Sequence, residues 1–224
     1  MPSILNEGDQ VNLDYKKKIN CSFSFGFDKQ LAQKFYDIDI SFDSGVINFI
    51  TGKNGVGKSL FFRILKGECY PEEYIQGSIV INDIVHSLEN PSDQHAIKQN
   101  VKLIAQDYES MLAPHFSVLL NVSVSQLSRY PFFKNILKNI YYKDILLQAG
   151  IDLEKKVSLL SGGQKQILAI IMALQKPADV LLLDEPTANL DPTTTEQVED
   201  LIRQFEQQGV NVIFTSHQLA QVQR

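Results

Sequence analysis

The run Gly52-Lys53-Asn54-Gly55-Val56-Gly57-Lys58-Ser59 constrains this chain more than any other stretch. Glycines at 52, 55 and 57 let a backbone curl so that successive N–H groups point inward, a shape that cradles an anion. The flanks sharpen the point. Val46-Ile47-Asn48-Phe49-Ile50 is rich in branched and aromatic residues and predicts a strand feeding the loop. Lys58 to Lys66 has helical spacing, with Leu60, Phe61, Ile64 and Leu65 on one face. Strand, glycine loop and helix in this order suit phosphate binding, because the helix adds its positive N-terminal end to the inward N–H groups. Lys58 is then a point charge for terminal phosphates, and Ser59 a hydroxyl for Mg²⁺. A glycine-rich surface turn with an exposed lysine is the competing explanation, and the flanking strand and helix argue against it.

Composition sets the bounds. A chain of 224 residues, 44% hydrophobic, buries a proper core and fits one domain with at most a subdomain. A net charge of −5 lacks the basic footprint of a protein whose main partner is nucleic acid. Cys21 and Cys69 stand far apart, which argues against a disulfide scaffold or zinc site and suits a reducing compartment. Met1 to Gln10 has no basic segment leading into an apolar one, so the expected location is the cytoplasm. The apolar run Ile167 to Leu174 is far shorter than the roughly 18 residues of a membrane span. Any membrane role would therefore be peripheral.

Further elements can be read along the chain. Cys21 to Phe27 alternates small or polar with aromatic residues, the period of a half-buried strand, and Asp37 to Phe42 predicts another. Ser78 to Ile81 and Val101 to Ala105 read as short strands. From about Asp107 to Val157 the periodicity is near helical, with Pro131 as a breaker, and predicts a helical insertion. Gln166 to Gln175 continues as a helix that stops before Pro177. Val180 to Leu183 reads as a buried parallel strand, Thr193 to Gln208 as a helix ended by Gly209, and Asn211 to Thr215 as a last strand.

Two more motifs carry chemistry. Leu160-Ser161-Gly162-Gly163-Gln164 places a serine and two glycines at a helix start, offering N–H donors and a hydroxyl to an anion. Asp184 and Glu185 close the apolar strand that begins at Val180, where a carboxylate can hold Mg²⁺ and a neighbour can polarise water. Either motif alone has a plain structural explanation: a capped helix, or a solvated strand end. Together with the glycine loop, and in this order, they resemble the ATP-binding cassette (ABC) ATPases, the motor subunits of membrane transporters.

The resemblance runs from the strand at 21–27 to His217. It implies an α/β fold, a P-loop NTPase core with a mainly parallel sheet, an N-terminal antiparallel β subdomain and an α-helical subdomain bearing the signature. The expected division is a core of 1–106 and 158–224 around a helical subdomain of about 107–157. It also implies ATP binding by residues 52–60, with Mg²⁺ held by Ser59, Gln106 and Asp184. Lys58, Gln106, Glu185 and His217 become the catalytic set, Gln106 as the Q-loop and His217 as the switch histidine. Ser161, Gly162, Gly163, Gln164 and Asp191 would contact ATP across a head-to-tail dimer, Asn189 to Asp191 being the D-loop. Leu60 and Ile167 depart from the family, which often has threonine and arginine there; neither change breaks a motif. Phe25, followed by Gly26, resembles the aromatic-Gly pair that stacks on adenine. Phe27 is the alternative, and Phe23, Phe25 and Phe27 forming one face of a core strand is the plain explanation. His86, His95 and His115 have no motif context.

By the same resemblance the partners are transmembrane permease subunits on the inner face of the cell membrane, a second ATPase subunit and a solute-binding protein. The segment Val157 to Pro192 looks most like ATPases of amino-acid or related small-solute uptake. A soluble ABC ATPase, for example one in metal-cluster assembly, also fits the length. The intact Glu185 and His217 oppose a regulator without turnover.

Overall fold

The computed structural model describes residues 19–27, 36–53, 55–70, 73–125, 143–188 and 190–216. Two four-stranded sheets form the frame. Strands β1 (Ile19–Phe27) and β2 (Tyr36–Phe42) are antiparallel, and β3 (Ile47–Thr51) leads through the glycine loop into helix α1 (Lys58–Leu65). Next come β4 (Glu73–Ile81), β5 (Ile84–Ser87), α2 (Pro91–Asn100) and β6 (Val101–Ile104). A 3-10 turn at Tyr108–Met111 precedes α3 (Val118–Ser125) and α4 (Lys143–Gln148), and a second at Val157–Leu159 leads to α5 (Gly162–Ala173). The chain then passes through β7 (Val180–Asp184), α6 (Pro192–Gln207) and β8 (Asn211–Ser216).

The first sheet has the antiparallel order β2-β1-β4-β5, and the second the parallel order β3-β8-β7-β6. Alternation in β1 follows the sequence: Ile19, Cys21, Phe23 and Phe25 are buried while Asn20 and Ser22 face out. In contrast β7 and β8 are buried throughout, as expected for central strands of a sheet covered on both faces. Their side chains alternate between two cores. Leu181, Leu183, Val212 and Phe214 join a cluster with α3, α5 and α6, whereas Val180, Leu182 and Ile213 join one with α1 and the antiparallel sheet. Within the second cluster α1 sits between the sheets, and Phe61 stacks on Phe23 at 6.0 Å between ring centroids.

Several boundaries differ from the sequence reading. β4 begins at Glu73 rather than Ser78, because it pairs with β1 over nine residues, from Ile19↔Ile81 to Phe27↔Glu73. The reading had no counterpart of β5 or α2. α2 is polar and buries only Ile97; it is fixed by Asn90, whose side chain accepts from the Ser92 N–H at 2.9 Å, and by Pro91 in its first turn. α5 ends at Ala173, two residues short of the expected Gln175. Between 107 and 157 the described elements are helical, apart from one isolated bridge, Ser117↔Lys156. Among the described residues no helix is long and apolar enough to cross a membrane.

Candidate active site

The glycine loop leaves β3 and turns into α1 through Gly57, which holds φ +104, a conformation that L side chains rarely adopt. Gly57 is the N-cap, so no side chain occupies the helix start, and no acidic residue lies in its first turn. The anion-attracting end of α1 is thereby presented without a competing carboxylate of its own. Lys58 folds over the loop: its Nζ donates to the Gly52 carbonyl at 2.8 Å and the Lys53 carbonyl at 3.3 Å. The same ammonium lies 3.9 Å from Glu185 Oε1.

That contact joins two motifs 127 positions apart in sequence. One open pocket of about 340 Å³ is lined by Gly57, Lys58, Ser59, Leu60, Gln106 and Glu185, with Gly55 at its edge. Gln106 reaches it because β6 ends at Ile104 beside β7, in register Ile104↔Leu183. Val56 is exposed next to the loop, and Asn54 lies outside the described residues.

Asp184 and Glu185 differ in environment. Asp184 is buried at the end of β7 and accepts a hydrogen bond from Thr215 Oγ1 at 2.6 Å. Glu185 leaves the strand at φ +52, unusual for a residue with a side chain, and its N–H donates to the same Thr215 Oγ1 at 2.9 Å. For Mg²⁺ the donor set is apt: hydroxyl, amide and carboxylate oxygens suit a hard cation. Among the described residues no three His, Cys, Asp or Glu side chains converge, so phosphate oxygens and water would complete the shell.

The signature builds the start of α5. Ser161 and Gln164 form a reciprocal capping box: the Gln164 N–H donates to Ser161 Oγ, and the Ser161 N–H donates to Gln164 Oε1, both at 3.2 Å. Gln164 Nε2 also donates to the carbonyls of Ala149 and Gly150, tying α5 to the end of α4. The Tyr108 hydroxyl donates to the Gly162 carbonyl at 3.0 Å, and Lys165 pairs with Glu109 at 2.9 Å. Burial, with the Glu109 carboxylate adding and Lys165 opposing, raises the Tyr108 phenol above its ordinary pKa and keeps it a donor. Ser161 and Gly162 are exposed, whereas Gly163 is buried against Thr194. None of the signature residues lines the phosphate-loop pocket.

Asp191 is the N-cap of α6, accepting from the Thr194 N–H at 3.1 Å and the Thr194 hydroxyl at 2.6 Å. Those bonds, the hydroxyl's first, lower its pKa.

Phe25 requires a correction. It is 6% exposed and packs in the core with Cys21 and Phe23, so its ring offers almost no open face for adenine. The core-strand explanation accounts for it. The Phe27 side chain, Asn189 and His217 lie outside the described residues. His86 is buried, while His95 and His115 are exposed. Sequence reasoning missed Thr215, which it took only as a strand residue; nothing local marks it, because its role comes from the register Asp184↔Thr215.

The sequence pattern of the ABC transporter family matches residues 35–188, from β2 to the turn after Glu185. The chain belongs to the ABC transporter family. Among its relatives, the methionine import ATP-binding protein of Protochlamydia amoebophila is 29% identical over 93% of this chain and 60% of its own length. The arginine transport ATP-binding protein of Haemophilus influenzae is 30% identical over 92% of this chain and 83% of its own. A ribose import ATP-binding protein of Streptococcus agalactiae is 31% identical, but this chain spans only 40% of its length. Solved structures agree on the fold. The cbiO1 subunit of Clostridium perfringens, part of the ABC transporter complex cbiONQ, superposes with a TM-score of 0.74 at 25% identity, covering 91% of this chain and 79% of that one. A dimeric ATP-binding cassette in a post-hydrolysis state with ADP and Pi gives 0.70 at 21% identity, covering 90% and 89%. This family member is thus an α/β cassette with a parallel P-loop sheet, an antiparallel sheet beside it and signature-bearing helices.

Proposed function

We propose that this chain binds and hydrolyses ATP as the motor subunit of a transporter, energising solute movement through separate membrane subunits. The observation that carries the reading is the convergence of Lys58, Gln106 and Glu185 on one pocket at the phosphate loop. Within it, the loop N–H groups and α1 hold the phosphate chain, and Lys58 neutralises its terminal charge. Ser59, Gln106 and Asp184 are the residues that hold Mg²⁺, which would offset phosphate charge. Glu185, its main chain fixed by Thr215, orients and polarises the attacking water. His217, by sequence position, serves as the switch donor.

A second copy of the chain completes the site. The exposed Ser161 and Gly162 and the Asp191 loop then face the other protomer's nucleotide, in keeping with their separation from their own pocket. The proposed division is a core of 1–106 and 158–224, with the helical segment 107–157 meeting the permease. Uptake is favoured, because the methionine and ribose relatives are named as import proteins; an amino acid is the proposed class of solute, and a solute-binding protein a further partner. The subunit would work peripherally on the cytoplasmic face of the membrane.

Affinity capture with the Glu185→Gln protein and ATP, from native membranes, tests the transport role. Recovery of a multi-spanning membrane protein is the expected result. Recovery of soluble partners alone would overturn it in favour of a soluble ABC ATPase.

A further inference from the structure

Both acids at the end of β7 are held by one group on the neighbouring strand. β7 and β8 run parallel in the register Asp184↔Thr215, and Thr215 is completely buried. Its Oγ1 lies 2.6 Å from Asp184 Oδ1 and 2.9 Å from the Glu185 N. A hydroxyl has one proton to give and two lone pairs to accept with, whereas a backbone N–H can only donate. The directions are therefore fixed: Glu185 N–H gives to Thr215, and Thr215 gives to Asp184. The Leu183 carbonyl, at 3.5 Å, is a much poorer competing acceptor.

Glu185 makes this anchor consequential. At φ +52 it sits where a residue with a side chain is seldom found, so its turn needs a holding contact. The amide bond to Thr215 supplies one at the first atom of the residue. The same oxygen restricts which way the Asp184 carboxylate faces. A hydrophobic residue at 215 would pack equally well in a strand buried on both faces, yet would leave the Glu185 N–H without this acceptor and Asp184 without this donor.

We infer that Thr215 is a positioning residue for the hydrolytic reaction, its buried hydroxyl aiming the metal-holding carboxylate of Asp184 and the water-orienting Glu185 together. This rests on the proposed ATP hydrolysis. Thr215 touches neither nucleotide nor water, and acts through the two acids.

Three proteins separate hydrogen bonding from packing: wild type, Thr215→Val and Thr215→Ser, each as the full chain. Valine keeps the shape and loses the hydroxyl; serine keeps the hydroxyl and loses a methyl. Positioning predicts that valine lowers kcat about 10- to 100-fold, the loss expected for a hydrogen bond to a charged group. Serine should stay within about threefold of wild type, whereas a packing role alone predicts the opposite order. Two readouts besides turnover accompany the rates. The Mg²⁺ concentration that half-saturates binding of a fluorescent ATP analogue should rise with valine and not with serine. Exchange protection of the Glu185 amide should fall only with valine. Undiminished turnover with valine, or serine as impaired as valine, would overturn the inference while leaving ATP hydrolysis intact. A wild-type protein without turnover distinguishable from Glu185→Gln would overturn the hydrolysis reading and this inference together.

Discussion

At the residue scale, a few side chains have roles fixed by burial and partners rather than by type. Cys21 is fully buried and burial pushes its thiol up to about 12. Its folded pKa thus exceeds its unfolded one, so its contribution to stability is complete below the unfolded value near 9 and is lost as pH rises from there toward 12. Alkylation at pH 8 should label Cys69 first and Cys21 only on unfolding; burial raises the Cys69 thiol too, but leaves it half exposed. Mass spectrometry of labelled peptides checks this, and equal labelling rates would contradict it. Lys58→Ala should weaken nucleotide binding by tenfold or more, because a charge-assisted phosphate contact is removed, with little change in melting temperature. The motif residues were legible at this scale because each motif is contiguous in sequence. Thr215 was not, since its meaning depends on a strand pairing across 31 positions, and Phe25 was misassigned because an aromatic-Gly pair looks alike in a core strand and at an adenine site.

At the element scale, the contact between α5 and α6 is made at Gly163. A Cβ there would lie 1.9 Å from Thr194 Cγ2, and Thr194 cannot swing aside without breaking its two bonds to Asp191. Gly163→Ala should therefore destabilise the protein by about 1–3 kcal/mol, as overpacking does. Adding Thr194→Ser removes the clashing methyl and keeps the capping hydroxyl, so the double variant should recover part of the loss. Denaturant titration of the single and double variants checks it; additive losses would contradict the contact. Strands with strong alternation or unbroken apolar runs, such as β1 and β7, were legible because their pattern reports how many faces are buried. α2 escaped because it buries one residue, Ile97, and its identity comes from its Asn90 cap and Pro91.

For the whole molecule, the parallel sheet is a wall between two cores, and the active site stands at the ends of its strands, where β3, β6 and β7 release the phosphate loop, Gln106 and Glu185. Leu182 lies in that wall and packs toward α1; Leu182→Ala should cost about 2–5 kcal/mol, whereas Val85→Ser on the exposed β5 should stay within roughly 0.5 kcal/mol. The fold class was legible from the order of the motifs, because the glycine loop and the acidic strand end work only when their strands share a sheet. The contacts that join core and helical segment, Tyr108 to Gly162 and Glu109 to Lys165, were not, since they link residues more than fifty positions apart. The central claim is that Lys58 and Glu185 belong to one ATP-hydrolysing site. Steady-state phosphate release and nucleotide binding, measured side by side for wild type and Glu185→Gln, test it most directly. The account predicts that the variant binds ATP as wild type does, accumulates as a dimer with ATP and Mg²⁺, and releases phosphate at least about a hundredfold more slowly. Equal phosphate release by both proteins would contradict it.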